Sequence, residues 1–267
     1  MIVGGKSLQN YTYVMAIINL TPDSFYAGSR RTCDDVLFVT EKAVNGGAAI
    51  IDVGAQSTRP GYVEVSADEE IARLEKPLQM IKERFDIPVS VDTYYEKCAA
   101  FALSAGADMI NDVWGLTHDK NMAATIAERN AAVCIMHNAK NKIEGKIWQP
   151  VLSFLKNSVK IAEDAGIDKN RICIDGGIGF AKDREQNFEL LNGYEKLHAL
   201  GYPSLLGCSR KSMFGGNVED RLPQTLQATR LAAQKGVLIV RAHDVAENVQ
   251  AIMEVYESGL TPWTSKR

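Results

Sequence analysis

Eight short runs of apolar and β-branched residues recur along this chain of 267 residues, and longer stretches separate them. Runs of this kind favour strands that are buried on both faces, as in a parallel sheet. The predicted strands cover residues 12–20, 48–54, 88–93, 109–113, 132–137, 171–177, 203–209 and 237–243.

The stretches between these runs carry apolar residues at helical spacing. In 68–85, the residues Ile71, Leu74, Leu78 and Ile81 fall on one face, with acids at the start of the segment and bases towards its end. This distribution suits a helix dipole and an amphipathic helix. The predicted helices cover 34–45, 68–85, 95–105, 121–130, 151–165, 184–200, 221–235 and 246–258.

The alternation of eight strands with eight helices favours one α/β fold, a TIM (β/α)8 barrel. No Pro-, Ser- or Gly-rich linker divides the chain, so we expect a single domain over residues 1–267. A doubly wound open sheet is the alternative, because strands are easily miscounted when the apolar runs are short.

Composition excludes several classes of protein. Hydrophobic residues make up 46% and charged residues 24% of the chain, which argues against disorder. A net charge of −3 gives no support for nucleic-acid binding. No apolar run approaches a membrane span, and no signal-peptide pattern is visible. The five widely spaced cysteines and four histidines lack disulfide or zinc patterns. We therefore expect a cytoplasmic protein that does not bind membranes.

Polar residues end nearly every predicted strand at its carboxyl side. They are Asn19, Asp52, Asp92, Asn111, Asp112, His137, Asp175, Ser209, Lys211, Arg241 and His243. In a barrel these strand ends meet at one mouth, where barrel enzymes carry their chemistry. A single Asn or Asp at such a place commonly caps a helix or a turn. So many polar residues at one rim instead indicate a pocket for a small molecule.

The chemical types of these residues fall into two sets. The cationic set follows the last two predicted strands and consists of Lys211, Arg241 and His243. It suits a phosphate group, because Arg binds phosphate oxygens in pairs and Lys supplies a point charge. The acceptor set consists of Asp92, Asn111 and Asp175, and it suits a flat heterocycle with several N–H groups. The alternative is that the two sets only neutralise one another.

Two long polar loops follow the first two predicted strands. They cover residues 19–35 and 55–62. Loops of this length in a compact barrel are usually lids or binding loops. We expect both to border the ligand pocket.

Seven segments at the predicted strand ends together resemble the motifs of dihydropteroate synthases. They are INLTPDSF (18–25), DVGAQSTRPG (52–61), SVDTY (90–94), IND (110–112), DGGIGFAKD (175–183), GCSRKS (207–212) and RAHD (241–244). The resemblance implies a (β/α)8 barrel of folate biosynthesis that joins 4-aminobenzoate to 6-hydroxymethyl-7,8-dihydropterin diphosphate. It also implies Mg2+ as cofactor and a homodimer.

The resemblance also assigns roles to individual residues. The pterin-binding residues are Asp92, Asn111, Asp175 and Lys211. The diphosphate-binding residues are Asn19, Arg59, Arg241 and His243, of which Asn19 would also bind the metal. The residues of the aminobenzoate pocket are Phe25, Thr58, Pro60 and Ser209. The residues expected to carry catalysis are Asn19, Asp92, Lys211, Arg241 and His243.

The chain departs from the family's usual motifs at four places. Gly176 stands where the family usually has proline, and Ala27 stands where it often has an acid. The fifth predicted strand runs on into Asn138, and Ala55 and Gln56 replace the commoner Gly and Glu. None of these changes removes a residue of the pterin or diphosphate sets. We expect them to affect rate and loop closure more than the reaction.

Two other functions are compatible with a pterin site. One is a methyltransferase that passes a methyl group from methyltetrahydrofolate to a corrinoid protein, an enzyme that does not need the cationic set. The other is a paralogue that binds pterin without catalysis, for which Ala27 and Gly176 are the only support.

Overall fold

The computed structural model describes residues 1–20, 33–56 and 64–262, with the side chains of 33 and 34 excepted. The strands are β1 (Ile2–Val3), β2 (Lys6–Ser7), β3 (Tyr13–Asn19), β4 (Ile50–Gly54), β5 (Val89–Asp92), β6 (Met109–Asp112), β7 (Ala132–Met136), β8 (Ile172–Asp175), β9 (Ser204–Leu206) and β10 (Ile239–Ala242). The α-helices are α1 (Cys33–Asn45), α2 (Ala67–Arg84), α3 (Glu96–Ser104), α4 (Met122–Glu128), α5 (Trp148–Asp164), α6 (Arg184–Asn192), α7 (Leu222–Gln234) and α8 (Val245–Glu257).

The strands β3 to β10 form a closed parallel barrel, with each strand beside its neighbours in chain order. The ring closes where β10 pairs in parallel with β3. Among the described residues, one α-helix lies between each pair of successive barrel strands, and α8 follows the last strand. The predicted TIM barrel is therefore confirmed, and the doubly wound open sheet is wrong. The single domain over 1–267 stays a prediction.

Strand register brings residues that are distant in sequence side by side at the carboxyl ends. Asn19 of β3 pairs with Gly54 of β4, and Gly54 pairs with Asp92 of β5. Asp92 in turn pairs with Asn111 of β6. The ends of four consecutive strands thus lie in one row along the barrel mouth, where β3, β5 and β6 supply the side chains of Asn19, Asp92 and Asn111.

Side chains of each barrel strand alternate between the barrel interior and the surrounding helices. In β6, Met109 belongs to a cluster inside the barrel, whereas Ile110 packs in the cluster that joins strands to helices. In β8, Cys173 is inside and Ile174 is outside. Because successive strand residues point to opposite faces, the residue after Ile110, Asn111, also points inward.

A short hairpin that the sequence patterns did not predict closes the end of the barrel opposite the mouth. In it β1 pairs with β2 in antiparallel register. The turn consists of Gly4 and Gly5, with φ angles of 53° and 76°, which two-residue hairpin turns require. Val3 and Leu8 are buried against the lower interior residues of the barrel. Strands of two residues are too short to show a hydrophobic period. The Gly4-Gly5 pair, however, is typical of a hairpin turn and could have predicted it.

The predicted helix over 184–200 is wrong in one respect, because it consists of two segments. The helix α6 begins at a capping box between Asp183 and Gln186 and ends before Gly193. A 3-10 helix follows from Tyr194 to Leu200. A Cβ on Gly193 would lie 2.7 Å from the Trp148 ring, so the chain passes too close to α5 there for any larger residue. The break turns Tyr194 into the core.

Replacing Leu8 by Ala should destabilise the protein by about 2–5 kcal/mol, because the change leaves a cavity where the hairpin closes the barrel. Urea unfolding of the two proteins measures this difference. Gln9→Ala, at the exposed neighbouring position, is the control and should change stability by less than about 0.5 kcal/mol. Equal effects of the two substitutions would contradict the role of the hairpin.

Candidate active site

One guanidinium group links two strands across the barrel mouth. Arg241 of β10 donates from Nε to Asp52 Oδ2 at 2.6 Å and from Nη2 to Asp92 Oδ2 at 2.7 Å. The Asp52 side chain is 0% exposed and that of Asp92 is 8% exposed. Part of the cationic set therefore does neutralise part of the acceptor set. The sequence marks Asp52 only as a polar residue at a strand end, and its ion pair with Arg241 was not predicted.

Burial and neighbouring charges act in opposite directions on the pKa of Asp92. Burial raises its pKa above the ordinary value, and the charges of Asp52 and Asp112 raise it further, whereas Arg241 and Lys211 lower it. Oδ1 of Asp52 and Oδ1 of Asp92 are buried, and within the described ranges no hydrogen-bond donor reaches them. Buried oxygens normally have a donor, so a ligand with N–H groups would complete this part of the pocket.

Asp175 ends β8 and is 5% exposed. Its Oδ1 accepts hydrogen bonds from Gly177 N and from the Tyr194 hydroxyl, each at 2.8 Å. Its Oδ2 faces Gly207, where a Cβ would lie 3.5 Å away. Burial raises the pKa of Asp175, and the N–H of Gly177 and the ammonium group of Lys211 lower it. Oδ1 of Asp175 is thus held by hydrogen bonds within the protein, whereas Oδ2 faces the space beside Gly207, just after β9.

Lys211 reaches back over the loop that follows β8. Its Nζ donates to the carbonyl of Ile178 and lies 4.6 Å from the centre of the Phe180 ring. Burial lowers the pKa of Lys211 to about 8, although Asp175 opposes this effect. A Cβ on Gly179 would lie 2.9 Å from Lys211 Cδ, so this glycine leaves the space that the lysine side chain occupies.

The ends of β9 and β10 are tied together by two side-chain contacts. His243 Nδ1 lies 3.0 Å from Ser209 Oγ, and His243 N donates to the same oxygen at 3.2 Å. Arg210 donates to both carboxylate oxygens of Asp244, at 2.8 and 2.7 Å. The predicted diphosphate residue His243 and the predicted aminobenzoate residue Ser209 therefore lie together.

A half-buried lysine of the segment FAKD, for which the sequence predicts no role, supports the loop after β8. Lys182 Nζ donates to Gly177 O at 2.9 Å and to Phe180 O at 3.0 Å, and lies 3.0 Å from His137 Nδ1. Burial and the charge of Lys182 lower the pKa of His137 to about 3, so its ring is neutral and can accept from the ammonium group. Burial lowers the pKa of Lys182 to about 7. In the sequence, only the position of Lys182 within the segment FAKD points to a role for it.

Most of the predicted site residues lie at the one mouth. Those that the structure describes there are Asn19, Asp92, Asn111, Asp175, Ser209, Lys211, Arg241 and His243. The remaining predicted residues lie outside the described residues and are Phe25, Thr58, Arg59 and Pro60. Both predicted loops fall largely in these ranges.

Asn19 is the residue whose chemistry fits Mg2+. Its Oδ1 and Asp92 Oδ2 lie 3.8 and 4.0 Å from the point that a Cβ on Gly54 would occupy, so glycine keeps this corner open. Among the described residues no group of three or more His, Cys, Asp or Glu side chains could hold a metal. Mg2+ commonly binds one or two protein oxygens and takes its other ligands from substrate phosphates and water. The donor set fits that mode.

Residues 15–243 match the family model described as pterin binding enzyme, which agrees with a barrel whose mouth offers acceptors to a heterocycle. The fold and site thus define a pterin-binding enzyme. A dihydropteroate synthase from Clostridium beijerinckii is 45% identical over 259 residues, covering 94% of this chain and 96% of the relative. One from Bacillus subtilis is 42% identical, covering 90% of this chain and 86% of the relative. The chain belongs to the dihydropteroate synthase family.

Solved structures agree with this assignment. A dihydropteroate synthase from Clostridium difficile, crystallised in the presence of pteroic acid, superposes with a TM-score of 0.91 at 42% identity and covers 95% of this chain and 98% of its own. One from Xanthomonas albilineans with 4-aminobenzoic acid has a TM-score of 0.90 at 35% identity, with 94% of each chain covered. The predicted family and its transferase activity are confirmed. None of the described helices is long and apolar enough to cross a membrane.

Replacing Asp52 by Asn should lower the pKa of Asp92, because the charge of Asp52 raises it. The titration of aspartate carboxyl carbons by 13C NMR measures the shift directly. Asp86→Asn, which removes a fully exposed carboxylate, is the matched control and should leave Asp92 unchanged. An unchanged or higher pKa of Asp92 in Asp52→Asn would show that the two carboxylates do not interact.

Proposed function

We propose that this chain condenses 6-hydroxymethyl-7,8-dihydropterin diphosphate with 4-aminobenzoate, and releases 7,8-dihydropteroate and diphosphate. The observation that carries the proposal is the row of carboxylates and amides beside a cationic group at one barrel mouth. One relative was crystallised in the presence of pteroic acid and another with 4-aminobenzoic acid. Pteroic acid is the oxidised form of the proposed product, and 4-aminobenzoic acid is one of the two proposed substrates.

The acceptor set binds the pterin ring. Asp175 Oδ2 borders the open side of β9, where it can accept from two neighbouring N–H groups of the heterocycle. The buried Oδ1 of Asp92 gains a donor when the ring binds, and Asn111 offers both an acceptor and a donor beside it. Charged hydrogen bonds of this kind orient the ring and favour positive charge on it. Lys211 contributes a donor from the opposite side.

The cationic set binds the diphosphate. Arg241 has five N–H groups, and two of them are donated to Asp52 and Asp92, which leaves three for phosphate oxygens. His243 lies at the end of the same strand, and Asn19 lies across the mouth. Arg59 belongs to the same proposed set. Neutralising the charge of a leaving group in a pocket that excludes water is among the largest effects available to an enzyme.

The reaction needs no strong base or nucleophile in the protein. The C–O bond between the pterin CH2 group and diphosphate breaks first, and diphosphate leaves with the electron pair. The pterin ring stabilises the resulting cation, next to Asp175 and Asp92. The amine of 4-aminobenzoate then forms the C–N bond and loses a proton. The residues proposed to hold 4-aminobenzoate for this attack are Phe25, Thr58, Pro60 and Ser209.

Mg2+ is the proposed cofactor. Asn19 Oδ1 would hold it, and the remaining ligands would be diphosphate oxygens and water. When bound, the ion neutralises charge that develops on the diphosphate. The support for this site is Gly54, which has no side chain and leaves open a position near both Asn19 Oδ1 and Asp92 Oδ2.

We also propose that the enzyme works as a cytoplasmic homodimer. Large apolar side chains are exposed on and just after the last helix, where Met253 is 41% and Leu260 is 58% exposed. A second copy of the chain is the proposed cover for this area. Light scattering from the purified protein should therefore give about twice the mass of 29.3 kDa, and a monomer at micromolar concentration would contradict the dimer.

The purified protein should release diphosphate when it is given both substrates and Mg2+. Removal of the metal with a chelator should abolish most of the turnover, and added Mg2+ should restore it. A folded sample that binds pterin but releases no diphosphate would instead support the non-catalytic paralogue. Transfer of a methyl group from methyltetrahydrofolate would support the methyltransferase.

Replacing Asp175 by Asn should weaken the binding of 6-hydroxymethylpterin by more than about tenfold, because a hydrogen bond to a charged group is worth about 1.5–3 kcal/mol. Titration calorimetry measures the affinity. Asp164→Asn, at the exposed end of α5, is the matched control and should bind like the parent protein. Equal affinities of the parent and Asp175→Asn would remove Asp175 from the pterin site.

A further inference from the structure

A fully buried tyrosine lies directly behind the pterin-binding carboxylate. Tyr194 is 0% exposed, and its hydroxyl contacts three groups. It accepts from Gly176 N at 3.0 Å, lies 2.8 Å from Asp175 Oδ1, and contacts the carbonyl oxygen of Leu205. None of the motifs that identified the family includes this residue.

The hydroxyl takes the place of a backbone hydrogen bond between β8 and β9. Ile174 N donates to Pro203 O at 3.0 Å, and Asp175 is in register with Leu205. Because a parallel ladder repeats every two residues, the next bond would run from Gly176 N to Leu205 O. Instead, Gly176 N donates to the Tyr194 hydroxyl, which contacts Leu205 O. The tyrosine thus bridges the two strands at the point where they separate.

This bridge also determines how Asp175 is presented. Oδ1 is held by the Tyr194 hydroxyl and by Gly177 N, so the carboxylate cannot rotate without losing both bonds. Oδ2 is then directed to the space beside Gly207. The Tyr194 hydroxyl has one proton, which lies between two acceptors, Asp175 Oδ1 and the Leu205 carbonyl oxygen, while its own oxygen accepts from Gly176 N. A buried hydroxyl held by three such contacts is a rigid support for a functional group.

We propose that Tyr194 is a positioning residue that orients the carboxylate of Asp175 for pterin binding by replacing one hydrogen bond between β8 and β9. This inference rests on the proposed pterin-binding function. It concerns a side chain that does not itself touch the substrate.

Replacing Tyr194 by Phe keeps the ring and removes only the hydroxyl. The affinity for 6-hydroxymethylpterin should fall about tenfold by titration calorimetry, and KM for the dihydropterin diphosphate should rise by more than kcat falls. Tyr202→Phe is the matched control, because Tyr202 is also buried and donates to a carboxylate, that of Glu163. It should leave both quantities unchanged.

The pH dependence supplies a readout that a purely structural role would not move. The hydrogen bond from Tyr194 lowers the pKa of Asp175, so its loss should raise that pKa. Pterin binding should therefore fail at a higher pH in Tyr194→Phe as the solution is acidified. The other titratable and charged groups that interact with Asp175 are Lys211, Lys182, Arg241, Cys134 and Cys208, and the substitution changes none of them.

The possible outcomes separate this inference from the proposed function. If the parent protein does not bind the pterin, the proposed function fails. If the parent binds and Tyr194→Phe binds equally well with the same acid limit, the positioning role is overturned. A second variant, Tyr194→Met, also lacks the hydroxyl and should lose the same affinity. Failure of both variants to unfold cooperatively in urea would likewise overturn the proposal, since the hydroxyl would then serve folding.

Discussion

Closure of the strand ring is the constraint on which the rest of the molecule depends. Once β10 pairs with β3, every second strand residue must point into the barrel, and the interior has only two ends. Apolar side chains such as Met109 and Cys173 fill the lower part, where the hairpin covers them. The inward positions that remain lie at the carboxyl ends, where Asn111 and Asp175 are found.

Collecting carboxylates in that small space raises their pKa values, and the cations of the same rim lower them. Asp92 depends on Arg241 for this balance, and Asp175 depends on Lys211 and on hydrogen bonds from Gly177 and Tyr194. The opposite charges therefore have two functions. They stabilise one another within the pocket, and they offer contacts to a substrate that has a donor-rich ring and an anionic tail.

The barrel and most of its site could be predicted from sequence because both depend on local pattern. Apolar runs ending in Asp92 or Arg241 are visible without any structure. Other features depend on contacts between distant segments and leave no periodic signal. In the sequence, Asp52 does not differ from other acids at strand ends, and only the structure shows its ion pair with Arg241. The break before Tyr194 follows from how close Gly193 lies to the Trp148 ring, a contact that helical spacing does not reveal.

Lys182 and Tyr194 share a physical property that explains why the loop after β8 is well supported. The lysine is half-buried and the tyrosine fully buried. The partners of both are mainly backbone atoms, at Gly177 and Phe180 for the lysine and at Gly176 and Leu205 for the tyrosine. Backbone groups that leave a sheet must find new partners, because unpaired ones are costly when buried. In this barrel two side chains provide those partners, and one of them, Tyr194, also contacts the carboxylate of Asp175.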